Sequence, residues 1–480
     1  MVERHNFESA PLVTVYVVNH NYGHYLPQAM ESLFSQTFKN FEILLIDDGS
    51  TDGSQDIVES YQEHPNVFPV LQRNQGLTVT NNIALRLARG EYIMRLDADD
   101  YLDPNALTVM SSALDQNSDV GMVFPDYYEV DERGEIINLV RRHDFDKVTM
   151  LDQPAHGACT MIRRRMLQEV GGYDESYSCQ DGYDLWIRFI QRHQVKNINL
   201  PLFYYRQHGK SLTRNENRLL DTRNKILRKF NVSQGSDIEG VVVIPVRGNK
   251  SDPRELALRT LGDRKVIDWT IEAALAARTV KDVIVTTPDA AVLDYVRSVY
   301  GDSVILLDRD LSLARANSFA DATVFDALER YERLGHSLPE GILILSVEAP
   351  FRRPDQIDAA LDVMSIFEAD RVVSVRPETA IHYQHHGDGL EPLSSHRLLG
   401  LEAQALYRDA GVLQAARLSF VQRSGEFFGG RIGHIVVDQH SAIVLRSQWD
   451  WQVAELFASM QQDDTSKHIK RQVHLQERLS

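Results

Sequence analysis

The stretch 94-MRLDADDYLDP-104 sets four carboxylates, Asp97, Asp99, Asp100 and Asp103, directly behind the run 91-EYIMRL-96, which reads as the end of a buried strand. A turn accounts for part of this. Asp103 suits a helix N-cap, with Pro104 following as a first helical residue. Asp97 and Asp99 remain, alternate residues at a strand end, and their repulsion is best relieved by a shared divalent cation with oxygen ligands. An acidic turn without metal is the competing reading, since Asp is common in turns.

Outward from this stretch, Val- and Ile-rich runs alternate with helical patterns. Strands are expected at 12-LVTVYVV-18, 41-FEILLID-47, 67-VFPVLQ-72 and 120-VGMVFP-125, and helices over 25–36, 54–64 and 78–90. That alternation is the signature of α/β layering. Near residue 235 a basic helix runs out into Asn, Ser, Gln and Gly, and a new strand, 241-VVVIPV-246, restarts the pattern. The expected fold is α/β, two doubly wound, Rossmann-like domains in series over residues 1–235 and 236–480. The run 47-DDGSTDGS-54 brings carboxylates and backbone N–H groups to the C-terminal end of a strand, where open α/β sheets bind ligands.

Composition narrows the function. Over 480 residues the formal charge is −17, which argues against a nucleic-acid partner, because tracking phosphates needs concentrated Lys and Arg. Nucleotides as small ligands stay compatible, since they need only one pocket. The sequence has no run of about 18 apolar residues to span a bilayer. With only two cysteines, Cys159 and Cys179, a reduced, cytoplasmic setting is expected. The cluster 162-IRRRM-166 reads as a solvated helix start and 223-RNKILRKF-230 as an interdomain helix. The latter could also meet a lipid-linked acceptor, so peripheral membrane association stays open, as does a homo-oligomer.

Several ordered segments carry a resemblance: 12–58, 74-NQGLTVTNNIAL-85, 89-RGEYIMRLDADD-100, 156-HGACTMIRRRMLQEVGGYDE-175, 180-QDGYDLWIRF-189 and 204-YYRQHGKSLTR-214. They resemble the motifs of family 2 glycosyltransferases of the GT-A fold. The resemblance implies an inverting, metal-dependent, hexosyltransferase-type enzyme that moves a sugar from a nucleoside diphosphate to a glycan or lipid-linked acceptor in surface polysaccharide biosynthesis. It makes Asp97 and Asp99 the DxD motif, holding Mg2+ or Mn2+ and, through Asp97, the nucleotide. Asp181 becomes the catalytic base, with Asp184 the alternative. Asp48, with Asp47 beside it, would accept a hydrogen bond from the nucleotide base, above the backbone of Val18 and Asn19. Arg206 and His208 would face the diphosphate or complete the metal shell. Asn81 stands where many members carry Arg, which leaves the base open.

In the second half, 241-VVVIPVRGNKSDPREL-256, 260-TLGDRKVIDWTIEAAL-275, 342-ILILSVEAPFRRPDQIDAALDVM-364 and 407-YRDAGVLQAARL-418 resemble the acylneuraminate cytidylyltransferases, which activate sialic acid and related nonulosonic acids. A nucleotidyltransferase-like domain is implied, with Arg247 and Lys250 at nucleotide-binding positions of its phosphate loop. Glu255 and Leu256 depart from that pattern, and Val444 and Arg446 replace paired metal aspartates, with Asp438 off register. The expectation is a catalytically degenerate scaffold or sensor. Two alternatives stand beside it: a bifunctional enzyme that also makes a CMP-sugar, and a sugar-nucleotide-binding regulatory protein in which neither half turns over. Intact Asp97, Asp99 and Asp181 speak against the last.

Overall fold

The computed structural model describes residues 10–141, 154–208, 216–248, 252, 254–314, 320–378, 380, 382–387, 389–392 and 406–460. The chain folds as two compact units, Met1–Ile226 with Ala380–Ala405, and Leu227–Thr379 with Leu406–Ser480. Among the described residues no helix is long and apolar enough to cross a membrane.

The first unit is built on β1 (Val13–Asn19), β2 (Phe41–Asp48), β3 (Val67–Gln72) and β4 (Tyr92–Asp97), a parallel block in the order β3-β2-β1-β4. Every residue of β1 and β2 is buried, so both read as continuous apolar runs. Pro69 is tolerated in β3 because that strand is the sheet edge, where a missing N–H can face outward. Helices α1 (Leu26–Phe34), α2 (Ser54–Ser60), α3 (Leu77–Leu87), α4 (Ala106–Asp115), α5 (Arg164–Glu169) and α6 (Asp181–Ile190) cover the faces, followed by α7 (Glu216–Gln234). Side chains alternate between two cores. Val13, Val15 and Val17 pack with Met30 and Leu33 of α1 and Leu107 and Met110 of α4. Tyr16 and Val18 face Leu85 of α3 and Trp186 and Phe189 of α6.

Past β4 the sheet becomes mixed, which corrects the doubly wound expectation for this unit. The remaining strands are β5 (Tyr101–Leu102), β6 (Val120–Val130), β7 (Ile136–Val140), β8 (Met161–Arg163) and β9 (Gln194–Arg206). β8 lies antiparallel between β4 and β6, β9 runs parallel to β6, β5 pairs antiparallel with β9, and β7 folds back on β6. The link 131–135 between β6 and β7 is far too short for a parallel crossover, which takes a dozen or more residues.

Register decides where the site lies. Asn19 pairs with Asp47, and Val18 with Asp97, so the C-terminal ends of β1, β2 and β4 form one edge. Gly49, at φ +72°, sits where a Cβ would come 2.4 Å from the Asn74 backbone nitrogen, so glycine is what allows the loops after β2 and β3 to touch.

The second unit contains β10 (Gly240–Pro245), the short pair β11 (Thr260–Leu261) and β12 (Arg264–Lys265), α8 (Val266–Ala276), β13 (Val280–Thr287), α9 (Ala290–Tyr300), β14 (Ile305–Asp308), α10 (Ala320–Arg333), β15 (Gly341–Ile344), α11 (Pro354–Ile366) and β16 (Arg371–Glu378). The hairpin β17 (Tyr383–His386) with β18 (Gly389–Pro392) lies in the segment counted with the first unit, and the second unit resumes with β19 (Leu406–Arg417), α12 (Leu418–Ser424) and β20 (Ile432–Val436). Its seven-stranded sheet runs β14-β13-β10-β15-β19-β16-β20, with β19 antiparallel to both neighbours.

Candidate active site

At the edge formed by β1, β2 and β4, Asp47 is fully buried and acts as a peg. Its Oδ2 accepts from Asn19 Nδ2 at 2.7 Å and Ser50 Oγ at 2.6 Å, and its Oδ1 from Ser50 N at 2.9 Å. Asp48 accepts from Gln72 Nε2 and Gln75 N at 2.8 Å and from Gly76 N at 2.9 Å. These two acids shape the loops after β2 and β3. The Val18 carbonyl accepts from Ala98 N at 3.1 Å, tying β1 to the 97–100 turn.

On that turn Asp99 Oδ2 lies 2.8 Å from His208 Nε2. Arg206, expected to face the diphosphate or complete the metal shell, is surrounded by protein acceptors. At 2% exposure it donates Nε to the Asp99 carbonyl, Nη1 to the Asp131 and Glu132 carbonyls and Nη2 to Gln28 Oε1, while its backbone N binds Asp100 Oδ1. These bonds fix the acidic turn through its backbone, and His208 is the residue of the closing segment that meets the Asp99 carboxylate.

Asp97 and Asp181 are joined by Arg95, which sequence reasoning passed over. Arg95 Nε lies 3.0 Å from Asp97 Oδ1, and Nη1 lies 2.7 Å from Asp181 Oδ2, to which Asn81 Nδ2 also donates at 3.0 Å. Burial pushes the Asp97 carboxyl up to about 6, the Arg95 charge opposing and Asp99 and Asp181 adding. Asp100, sealed beneath, is held well above the carboxylate range by burial and by Asp99 and Asp97. A signal for Arg95 was available: a cation inside a buried strand must find carboxylates. Asp184 is engaged elsewhere, its Oδ2 bound by Arg188 Nη2 at 2.5 Å and Nε at 3.0 Å, a pair that also holds the Val170 and Gly172 carbonyls. Of the two candidate bases, Asp181 is the one tied to the Asp97 cluster.

Among the described residues no group of three or more His, Cys, Asp or Glu side chains converges as a ready metal cage. Asp97 and Asp99, with His208 beside them, offer oxygen and imidazole donors on one turn. Donors of these kinds suit a divalent cation that completes its shell with water.

In the second unit a cavity of about 370 Å³ opens where β10 and β15 end, lined among others by Arg247, Arg254, Arg309, Ser346 and Glu348. Arg254 is paired with Asp252 at 2.8 Å and Glu348 at 2.7 Å. Arg309 has no such partner among the described residues. It is 3% exposed, donates Nη2 to the Val246 carbonyl at 2.7 Å, and leaves Nε without an acceptor. Burial pulls its guanidinium down to about 10, Asp326 opposing and the Arg247 charge adding. Asp438 is engaged by Ser441 and Gln356. Lys250 lies outside the described residues.

Residues 14–171 match the family model described as glycosyl transferase family 2. The N-terminal part of the chain carries a family 2 glycosyl transferase domain. Chondroitin synthase of Escherichia coli is 29% identical over 214 residues, covering 44% of this chain and 31% of the relative. Glycosyltransferase GlyG of Streptococcus pneumoniae serotype 4 is 36% identical over 137 residues, covering 28% and 45%. Hyaluronan synthase of Pasteurella multocida is 24% identical over 210 residues, covering 43% and 22%. The chain thus spans less than half the length of each of these three relatives. Among solved structures, S. aureus TarS 1-349 in complex with UDP-GlcNAc has a TM-score of 0.38 at 18% identity, covering 46% of this chain and 65% of that one. Mannosyltransferase PcManGT from Pyrobaculum calidifontis, in complex with GDP-Man and Mn2+, has a TM-score of 0.38 at 20% identity, covering 46% and 64%. The matched family 2 domain contains Asp47, Asp48, Arg95, Asp97 and Asp99. Asp181 and His208 lie beyond its matched end and join it through Arg95 and Asp99.

Proposed function

We propose that this chain is an inverting glycosyltransferase that moves a sugar from a nucleoside diphosphate to a hydroxyl of a glycan or lipid-linked acceptor, in the synthesis of a surface polysaccharide. The observation that supports this is the contact chain Asp97–Arg95–Asp181, at 3.0 and 2.7 Å, which sets a proton-accepting carboxylate beside the acidic turn. The acceptor oxygen attacks the anomeric carbon and passes its proton to Asp181. The bond from that carbon to the diphosphate oxygen breaks, and the nucleoside diphosphate leaves with the electron pair. Attack opposite the leaving group inverts the centre. A Mg2+ or Mn2+ ion held by Asp97 and Asp99 would supply Lewis-acid neutralisation of the diphosphate. Asp48 Oδ2 takes one protein donor, Gly76 N, and keeps capacity for an N–H of the nucleotide base.

The full chain, incubated with UDP-, GDP-, dTDP- and CDP-sugars and Mn2+, should release one nucleoside diphosphate, and Asp181→Asn should suppress that release. No release from any donor would sink the proposal, and release unaffected by Asp181→Asn would remove Asp181 from its role.

For the second unit, Arg309, which has no carboxylate bonded to it among the described residues, favours a non-catalytic role in binding a nucleotide or acidic sugar, since a buried cation is stabilised by an anion beside it. Pyrophosphate release from CTP and a 3-deoxy-2-keto acid would replace this with the bifunctional alternative.

A further inference from the structure

The geometry assigns to Arg95 the task of positioning the base, an inference that rests on the proposed role of Asp181. Arg95 stands two residues before Asp97 on β4, so both side chains leave the strand on one face. Its side chain is 6% exposed, deep enough that an unpaired guanidinium would be strongly disfavoured. Nη1 donates to Asp181 Oδ2 at 2.7 Å and Nη2 to Asp97 Oδ2 at 3.5 Å, while Nε makes only a charge contact with Asp97, so the guanidinium lies between the two carboxylates and is held more firmly by Asp181.

The two oxygens of Asp181 are treated differently. Oδ2 takes Arg95 Nη1 at 2.7 Å and Asn81 Nδ2 at 3.0 Å. Oδ1 accepts no hydrogen bond among the described residues, yet it is not sealed away from solvent. One oxygen is therefore clamped and the other left open, which fixes the direction from which a hydroxyl can deliver its proton. Through the other end of Arg95, that direction is referred to Asp97 on the acidic turn. Asn81 belongs to the same clamp, so the residue at that position acts on the base.

The backbone accommodates this arrangement. A Cβ on Gly157 would lie 2.7 Å from Arg95 Nη2, so the guanidinium passes directly over a residue without a side chain. Gly157→Ala would push the guanidinium aside without removing its charge.

Arg95 is a positioning residue: it acts through Asp181 and need not touch substrate. The test uses the full chain and follows release of nucleoside diphosphate from the UDP-, GDP-, dTDP- or CDP-sugar that the parent turns over, with water as acceptor. Arg95→Ala should lower kcat about 100-fold, the loss that follows a misplacement of about 1 Å. Arg95→Ala also removes the cation beside Asp97 and should weaken nucleoside diphosphate affinity, whereas Gly157→Ala keeps that cation and should leave donor KM close to the parent value. Millimolar guanidinium should restore part of the lost kcat, which a merely structural role would not allow, and Arg95→Lys should fall between. If Arg95→Ala does not fold, Arg95→Lys and Gly157→Ala carry the same test through lowered kcat at unchanged donor KM. Parent-like kcat in the folded variants, with Asp181→Asn inactive, would overturn the role of Arg95 while leaving the function standing. A fully active Asp181→Asn would instead overturn the role of the base, and with it this inference.

Discussion

Asp362 on α11 offers a stability measurement whose size follows from the structure. Its carboxyl is buried, and desolvation pushes it from 3.8 up to about 6 against the opposing Asn231 hydrogen bond and Arg228 charge. Asn231 Nδ2 donates to Oδ1 at 2.7 Å, while Oδ2 has no hydrogen-bond partner among the described residues. Between these two values the folded form keeps a proton that the unfolded chain has lost. The group's stabilising contribution is therefore complete below about pH 4 and is lost as pH rises through about 6. A difference of about 2 pH units corresponds to about 3 kcal/mol. Asp362→Asn retains the acceptor for Asn231 and removes the charge. At pH 7.5 it should raise the melting temperature of the second unit by about 6–12 °C, using about 2–4 °C per kcal/mol. Parent and variant should converge near pH 4. Calorimetry of the full chain at several pH values reads this directly, and parallel curves from pH 4 to 8 would refute the reasoning.

Three further outcomes are expected. Asp181→Asn should retain nucleoside diphosphate binding by titration calorimetry and lose transfer by about 10²–10⁴-fold, the usual effect of a missing general base. Asp99→Ala should weaken nucleoside diphosphate binding when Mn2+ is present, because one oxygen donor is gone. Equal affinity of the parent protein with and without Mn2+ would exclude that role. Arg309→Met should abolish any rise in melting temperature that CTP or inorganic phosphate produces in the second unit, and a rise that persists would remove Arg309 from ligand binding.

Much of the first unit could be read from spacing alone. Buried parallel strands advertise themselves as Val and Ile runs, so β1, β2 and β4 were legible, and β3 was legible even with Pro69 inside it. In the mixed half only the start of β6 was. β9 reads QVKNINLPLFYYR, in which polar residues and Pro201 interrupt any apolar run, and its pairing with β6 joins residues far apart in the chain. The acids of the turn were legible as a cluster, but their division of labour depends on partners the sequence does not order. Asp184 differs from Asp181 because a residue one helical turn onward, Arg188, captures it. Arg206 lies within a matching motif, yet its guanidinium is held by carbonyls from 99, 131 and 132. Arg95 was hidden inside a run read as apolar, and Arg309 became distinctive only once its neighbours were known to include no carboxylate bonded to it.

In the proposed reaction the acidic edge of the first unit binds a nucleoside diphosphate together with a divalent cation. Thermal denaturation of the full chain against UDP, GDP, dTDP, CDP and CTP, each with and without Mn2+, tests it directly. A ligand at about 100 times its Kd stabilises the folded state by about 2.7 kcal/mol. The predicted result is one nucleoside diphosphate that raises the melting temperature only when Mn2+ is present, with the rise lost in Asp99→Ala. A shift of equal size without metal, or no shift from any of the five, would contradict the account.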